Sequence, residues 1–143
     1  MGPIVCATRG SEASRRTQER AIALAQERKT TLIFLYIVDP TFIEPPHKTL
    51  AVVVLDELEQ LGRGLLGLAQ SRAREQGLQA DIAIRRGAIQ PTLSDFLREV
   101  NASTIIIGAP QRSSAAPVFN SDAISRLVQH IRDTTGVEVI VVA

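Results

Sequence analysis

The run "TTLIFLYIV", residues 30–38, limits the fold more than any other stretch of this chain. It is β-branched and apolar throughout, and the Asp39-Pro40 pair stops it. Such a run reads as a strand buried on both faces, the environment of a central strand in a parallel sheet. Parallel neighbours need long crossover connections, usually helices. The rest of the chain should therefore alternate short apolar runs with amphipathic helices, and it does.

The segment "PIVCAT", residues 3–8, is a first strand. A helix follows to about Arg28, with Thr17, Ala21, Leu24 and Ala25 on one face and Ser11 or Gly10 as its cap. After the strand at 30–38 comes a loop, 40–49, with three prolines. A long helix is expected from about Leu50 to Gln76, with Gly77 ending it. There Leu58, Leu61, Leu65 and Leu68 recur at spacings of three and four, while the valines at 52–54 suit a helix start poorly. "QADIAIRRG", 79–87, is a third strand, and Pro91 fits the first turn of the next helix. Leu93, Phe96, Leu97 and Val100 form that helix's stripe. "STIIIG", 103–108, is a fourth strand. Ile124, Leu127, Val128 and Ile131 mark a fourth helix closed by Gly136, and "VEVIVVA", 137–143, is the last strand. Five strands alternating with four helices imply an α/β fold, a parallel sheet with helices on both faces. Ligands in such sheets bind beyond the carboxyl ends of the strands, where the strand order reverses.

Composition narrows the function. The 143 residues fit one domain, 1–143. Aromatics are 3% with no Trp, which leaves no stacking platform for single-stranded nucleic acid. A net charge of +1 argues against duplex DNA or an anionic membrane as partner. The single cysteine, Cys6, has no internal disulfide partner and suits a reducing compartment. No apolar run approaches the ~20 residues of a membrane span, and the N-terminus carries no secretory signal pattern. The expected location is the cytoplasm.

Four stretches resemble the universal stress protein family. "VCATRGSEASRR" is similar to the family's first strand and turn, V-A-x-D-G-S-E-x-S, and "LYIVDP" to the end of its second strand. "RRGAIQP" resembles the entry to the third helix, with one extra residue. "IIIGAPQR…NSDAISRLV…VEVIVVA" resembles the fourth strand, its loop, the helix and the last strand. The resemblance covers nearly the whole chain. It implies a Rossmann-like, adenine-nucleotide α-hydrolase-like sheet of order 3-2-1-4-5, and a homodimer paired through the last strand, Val137 to Ala143.

Family members that bind ATP carry G-x-x-G, nine residues, then G-[ST] after the fourth strand. This chain keeps the spacing and Gly108, but places Gln111, Ser121 and Asp122 at the other three marker positions. Arg9 replaces the aspartate that follows the first strand. The glycines let backbone N–H groups approach phosphates and adopt angles other residues avoid. Gln111 puts a side chain into that space. A carboxylate at Asp122 competes with a phosphate for the free N–H groups of a helix start. At about 5 Å from a phosphate charge it costs roughly 3 kcal/mol at an effective dielectric near 20, over a hundredfold in affinity.

Three readings of this loop stand open. One is an ordinary capped strand-to-helix connection, the second is retained ATP binding, and the third is another anionic or adenine-like ligand held by Arg9, Arg112, Ser113 and Ser114. A nucleotide pocket would comprise Ala7, Thr8, Arg9, Ile37, Gly108, Gln111, Arg112, Ser121 and Asp122. Elsewhere Cys6 reads as a small buried residue, His47 as exposed and His130 as a surface or rim residue. Two distant histidines make no metal site. Glu12 with Ser11 and Ser14 resembles a helix start, because no base lies near in sequence. The expected role is a non-catalytic regulatory domain acting through a protein partner, with ATP bound weakly or not at all. The alternative is an adenine-nucleotide sensor, including one excised from a transporter.

Overall fold

A computed structural model of the chain describes residues 2–8, 12–40, 48–109 and 121–142, without the side chains of 12–14, 48–52 and 121–123. The elements in order are β1 (Ile4–Ala7), α1 (Glu12–Arg28), β2 (Leu32–Val38), α2 (Lys48–Glu75), β3 (Ala80–Arg86), α3 (Ile89–Glu99), β4 (Thr104–Gly108), α4 (Ser121–Thr135) and β5 (Glu138–Val142). The expectations placed on Gly10, Ser11, His47 and Ala143 fall outside the described residues.

The five strands form one parallel sheet of order β3-β2-β1-β4-β5. Strand order runs outward from β1 in one direction and restarts at β4 in the other, so the switch point lies between β1 and β4. Their register pairs Ala7 with Ile107, which sets Thr8 and Gly108 at the carboxyl ends of neighbouring strands.

Side-chain alternation splits the core in two. Ile4, Cys6, Leu32, Phe34 and Ile106 point to the layer of α1 and α2. Val5, Leu35, Ile105 and Ile107 point to the layer of α3 and α4. Three helices bury the stripes their sequences name: Thr17, Ala21, Leu24 and Ala25 on α1, Leu93, Phe96 and Leu97 on α3, and Ile124, Leu127 and Ile131 on α4. Gly77 and Gly136 follow α2 and α4 at φ 79° and 68°, a left-handed conformation that closes helices and suits glycine.

Helix α2 forms as expected, but the face it buries is not the one its leucines mark. Its buried line is Gly62, Leu66, Ala69 and Ala73, one residue out of phase with the leucines. Leu61 and Leu68 are 55% and 56% exposed, and Leu58 and Leu65 are half-buried. The cause lies on the sheet. The Tyr36 ring stands so close to α2 that a Cβ on Gly62 would meet it at 2.5 Å. Tyr36 packs with buried Phe34 against this layer, so the helix approaches through its small residues and turns its leucines away. The valines at 52–54 lie within α2, which begins at Lys48.

The last strand also corrects one detail. Val137 and Val139 pack against the α3–α4 layer, and Ile140 and Val142 against the α1–α2 layer, as alternation requires. Val141 follows Val137 and Val139 in the same alternation, but it is 43% exposed. Among the described residues no further strand or helix at the sheet's edge covers it.

Candidate functional site

The expected ligand crevice, at the switch point, lies beyond the ends of β1 and β4, with α4 following β4 in the chain. β1 continues into Thr8, whose backbone N–H donates to Leu35 O at 2.9 Å. That bond holds the chain against β2 for one residue beyond the strand. Beside it, Ala109 N–H donates to Val142 O at 2.7 Å, extending β4 along β5. Ala7 and Ile37 both pack on the α3–α4 side. Ser121 opens α4, which puts Asp122 in its first turn. The structure thus brings Ala7, Thr8 and Gly108 together at the strand ends and places Ile37 on the same face as Ala7. Arg9, Gln111, Arg112, Ser113 and Ser114 lie outside the described residues.

Beneath the crevice runs a polar chain that the sequence reading missed. Gln18 Nε2 donates to Thr8 Oγ1 at 2.9 Å, and Arg72 donates from its guanidinium to Gln18 Oε1 at 2.7 Å. Thr8 and Gln18 are both buried. Thr8 therefore turns its hydroxyl down into the protein. A signal existed, since Gln18 lies three and seven residues before the buried Ala21 and Ala25 and so shares their face. Among the described residues every buried side-chain nitrogen or oxygen has a hydrogen-bond partner.

Gly108 has a packing reason of its own. A Cβ there would stand 2.7 Å from Thr17 Oγ1, on the buried face of α1. Helix and strand meet through this glycine whether or not a phosphate lies above it.

Other candidates carry little chemistry. Cys6 is fully buried, and burial pushes its thiol up to about 12, so no thiolate is available at neutral pH. His130 is half-buried on α4. Among the described residues no group of three His, Cys, Asp or Glu side chains could hold a metal ion. No helix among them is long and apolar enough to cross a membrane.

Comparison with known proteins agrees with this geometry. The profile described as the universal stress protein family matches residues 1–134. No curated protein matches the sequence. Among solved structures, the universal stress protein UspA from Lactobacillus plantarum superposes with a TM-score of 0.81 at 20% identity, covering 99% of this chain and 97% of its own. A universal stress protein in complex with cAMP gives 0.67 at 20%, with 99% and 96% covered. The universal stress protein from Archaeoglobus fulgidus in complex with dAMP gives 0.64 at 18%, with 100% and 98% covered.

Proposed function

Because the chain belongs to the universal stress protein family, we propose that it is a non-catalytic regulatory domain of the reducing cytoplasm, acting through protein contacts and binding ATP weakly or not at all. The observation that carries this is the position of Asp122. It falls in the first turn of α4, and a carboxylate on a helix's first turn competes with a phosphate for the free N–H groups there. Gln111 in place of a glycine adds bulk to the same loop. Gly108, the one marker kept, is required by Thr17 and lends ATP binding no support.

The contacts begin with a second copy. β5 is an edge strand with one charge, Glu138, and an exposed Val141. Pairing about a two-fold axis closes that edge on both copies.

A second reading is favoured by a specific observation. The ligands in two of the structural relatives, cAMP and dAMP, each carry a single phosphate. Such a ligand has no β- and γ-phosphates, so crowding at the loop and at Asp122 weighs less against it. On this reading the crevice is a sensor for adenosine monophosphates, with Ala7 and Ile37 against the base. Mass spectrometry of small molecules released from the purified protein separates the readings. The regulatory reading expects no nucleotide near one per chain. A stoichiometric monophosphate favours the sensor, and stoichiometric ATP overturns both.

A further inference from the structure

We infer that Gln18 and Arg72 are positioning residues for the crevice: acting through Thr8, they make the end of β1 depend on how α2 is seated. The inference rests on the reading of the switch point as a site, and adds a means of regulating that site from the outer helix layer.

The direction of the polar chain is fixed by its chemistry. An arginine side chain carries donors only. Arg72 can therefore face only the oxygen of the Gln18 amide, 2.7 Å away, which leaves the amide nitrogen for Thr8 Oγ1 at 2.9 Å. Gln18 and Thr8 are 3% and 4% exposed, so bulk water does not stand ready to replace either partner. Without Arg72 the amide oxygen becomes an orphaned acceptor inside the protein, and a buried polar group left unpaired is costly. The amide then gains by turning over or by moving towards solvent, and either change takes the donor away from Thr8. One amide thus ties the seat of α2 to the end of β1.

The two ends of the chain lie in different surroundings. At the inner end, Thr8 carries β1 one step past the strand through its N–H to Leu35 O at 2.9 Å, beside the strand ends that bound the crevice. At the outer end, Arg72 is half-buried and lines a groove of about 290 Å³ between α1 and α2, together with Ile22, Glu19 and Glu75. Neighbouring helices usually meet through interdigitated side chains. Here a groove opens between them and hydrogen bonds cross the seam, from Arg72 to Gln18 and from Gln26 Nε2 to Gln76 O. Hydrogen bonds weaken steeply with distance and angle, so a small shift of α2 releases Gln18. The coupling is reciprocal: what displaces α2 is felt at Thr8, and what displaces the end of β1 is felt at Arg72.

Backbone amide hydrogen exchange on the unliganded chain tests this. Arg72→Met keeps a long stem and removes the donors. It should speed exchange of the Thr8 amide about tenfold and leave that of Cys6, within β1, inside about twofold of the parent. Gln18→Met gives the second arm. Replacing a buried amide by an apolar side chain of similar size is commonly neutral for stability. The Thr8 amide should therefore exchange faster while urea unfolding stays at the parent midpoint, whereas a merely structural role would move both together. A double-mutant cycle closes the test. In a Thr8→Val chain, which offers Gln18 no hydroxyl, adding Arg72→Met should change exchange at position 8 by less than about twofold. A Thr8 amide at the parent rate in both single variants, or one that speeds up only in step with Cys6, would overturn the inference. So would an undiminished effect of Arg72→Met in the Thr8→Val chain. Because no ligand enters the measurement, those results would leave the proposed function standing.

Discussion

The two edges of this sheet are managed in opposite ways. β3, at one edge, carries Asp81, Arg85 and Arg86. Arg86 reaches Asp56 at 2.8 Å and Glu59 at 2.6 Å on α2, and Arg85 reaches Glu99 at 3.4 Å while lying 5.0 Å from the centre of the Phe96 ring. A strand entering alongside β3 would have to displace these arginines from their carboxylates. β5, at the other edge, carries only Glu138, and Arg28 ties that residue inward at 3.0 Å. The rest of β5 is apolar. Charge on an edge strand prevents pairing with other chains, and its absence invites pairing. On the proposed reading one edge is left to solvent and the other pairs with a partner.

The largest expected effect sets both edges against the strand between them. Cys6 lies in the central strand β1, and its buried thiol ionises near 12 rather than at the ordinary 9.0. The unfolded chain loses this proton above pH 9 while the folded chain keeps it. The stability from the buried neutral thiol is therefore complete below pH 9 and is lost as pH rises towards 12. The slope is about 1.4 kcal/mol per pH unit, roughly 4 kcal/mol in all. Urea unfolding from pH 8 to 11 measures it, and Cys6→Ala should lack this part of the slope.

On β5 itself, Val141→Lys places a charge on the exposed edge and should weaken dimerisation about a hundredfold, roughly 2.7 kcal/mol. Because Val141 is 43% exposed and belongs to neither core cluster, circular dichroism should be unchanged. Val142 is a poorer probe, since it packs against the α1–α2 layer. If the variant dimerises like the parent in sedimentation, the edges do not differ in the way described. A converse change sharpens the comparison. Arg85→Val with Arg86→Val strips the guard from β3, and light scattering should show new association at concentrations where the parent shows none. The smallest effect concerns the anchor of β5. Arg28 donates to Thr104 Oγ1 at 2.9 Å as well as to Glu138, so Arg28→Ala should lower unfolding stability by about 1 kcal/mol and leave the fold intact.

Most of the fold was legible because three of the four helices bury the residues that recur at helical spacing in their sequences. Thr17 through Ala25, Leu93 through Leu97 and Ile124 through Ile131 each announce their inner face. α2 was legible as a helix but not in its inner face, because its leucines are regular too and the deciding fact lies elsewhere in the chain, at Tyr36. A helix sequence cannot reveal that the sheet beneath it already fills the gap. The switch point between β1 and β4 was legible in position, but the polar chain beneath it was not. Gly108 could be found from the strand-to-helix junction, whereas the Thr8–Gln18–Arg72 chain joins residues 10 and 54 apart in sequence, which no local pattern links.

On the proposed function this chain binds a triphosphate weakly or not at all. Calorimetric titration of the unmodified chain with Mg-ATP, beside the Arg9→Asp, Gln111→Gly, Asp122→Ser variant, tests it most directly. The account predicts a dissociation constant no tighter than about 0.1 mM for the unmodified chain, roughly −5.5 kcal/mol, and at least a tenfold gain in the folded variant. Low-micromolar binding by the unmodified chain would contradict it.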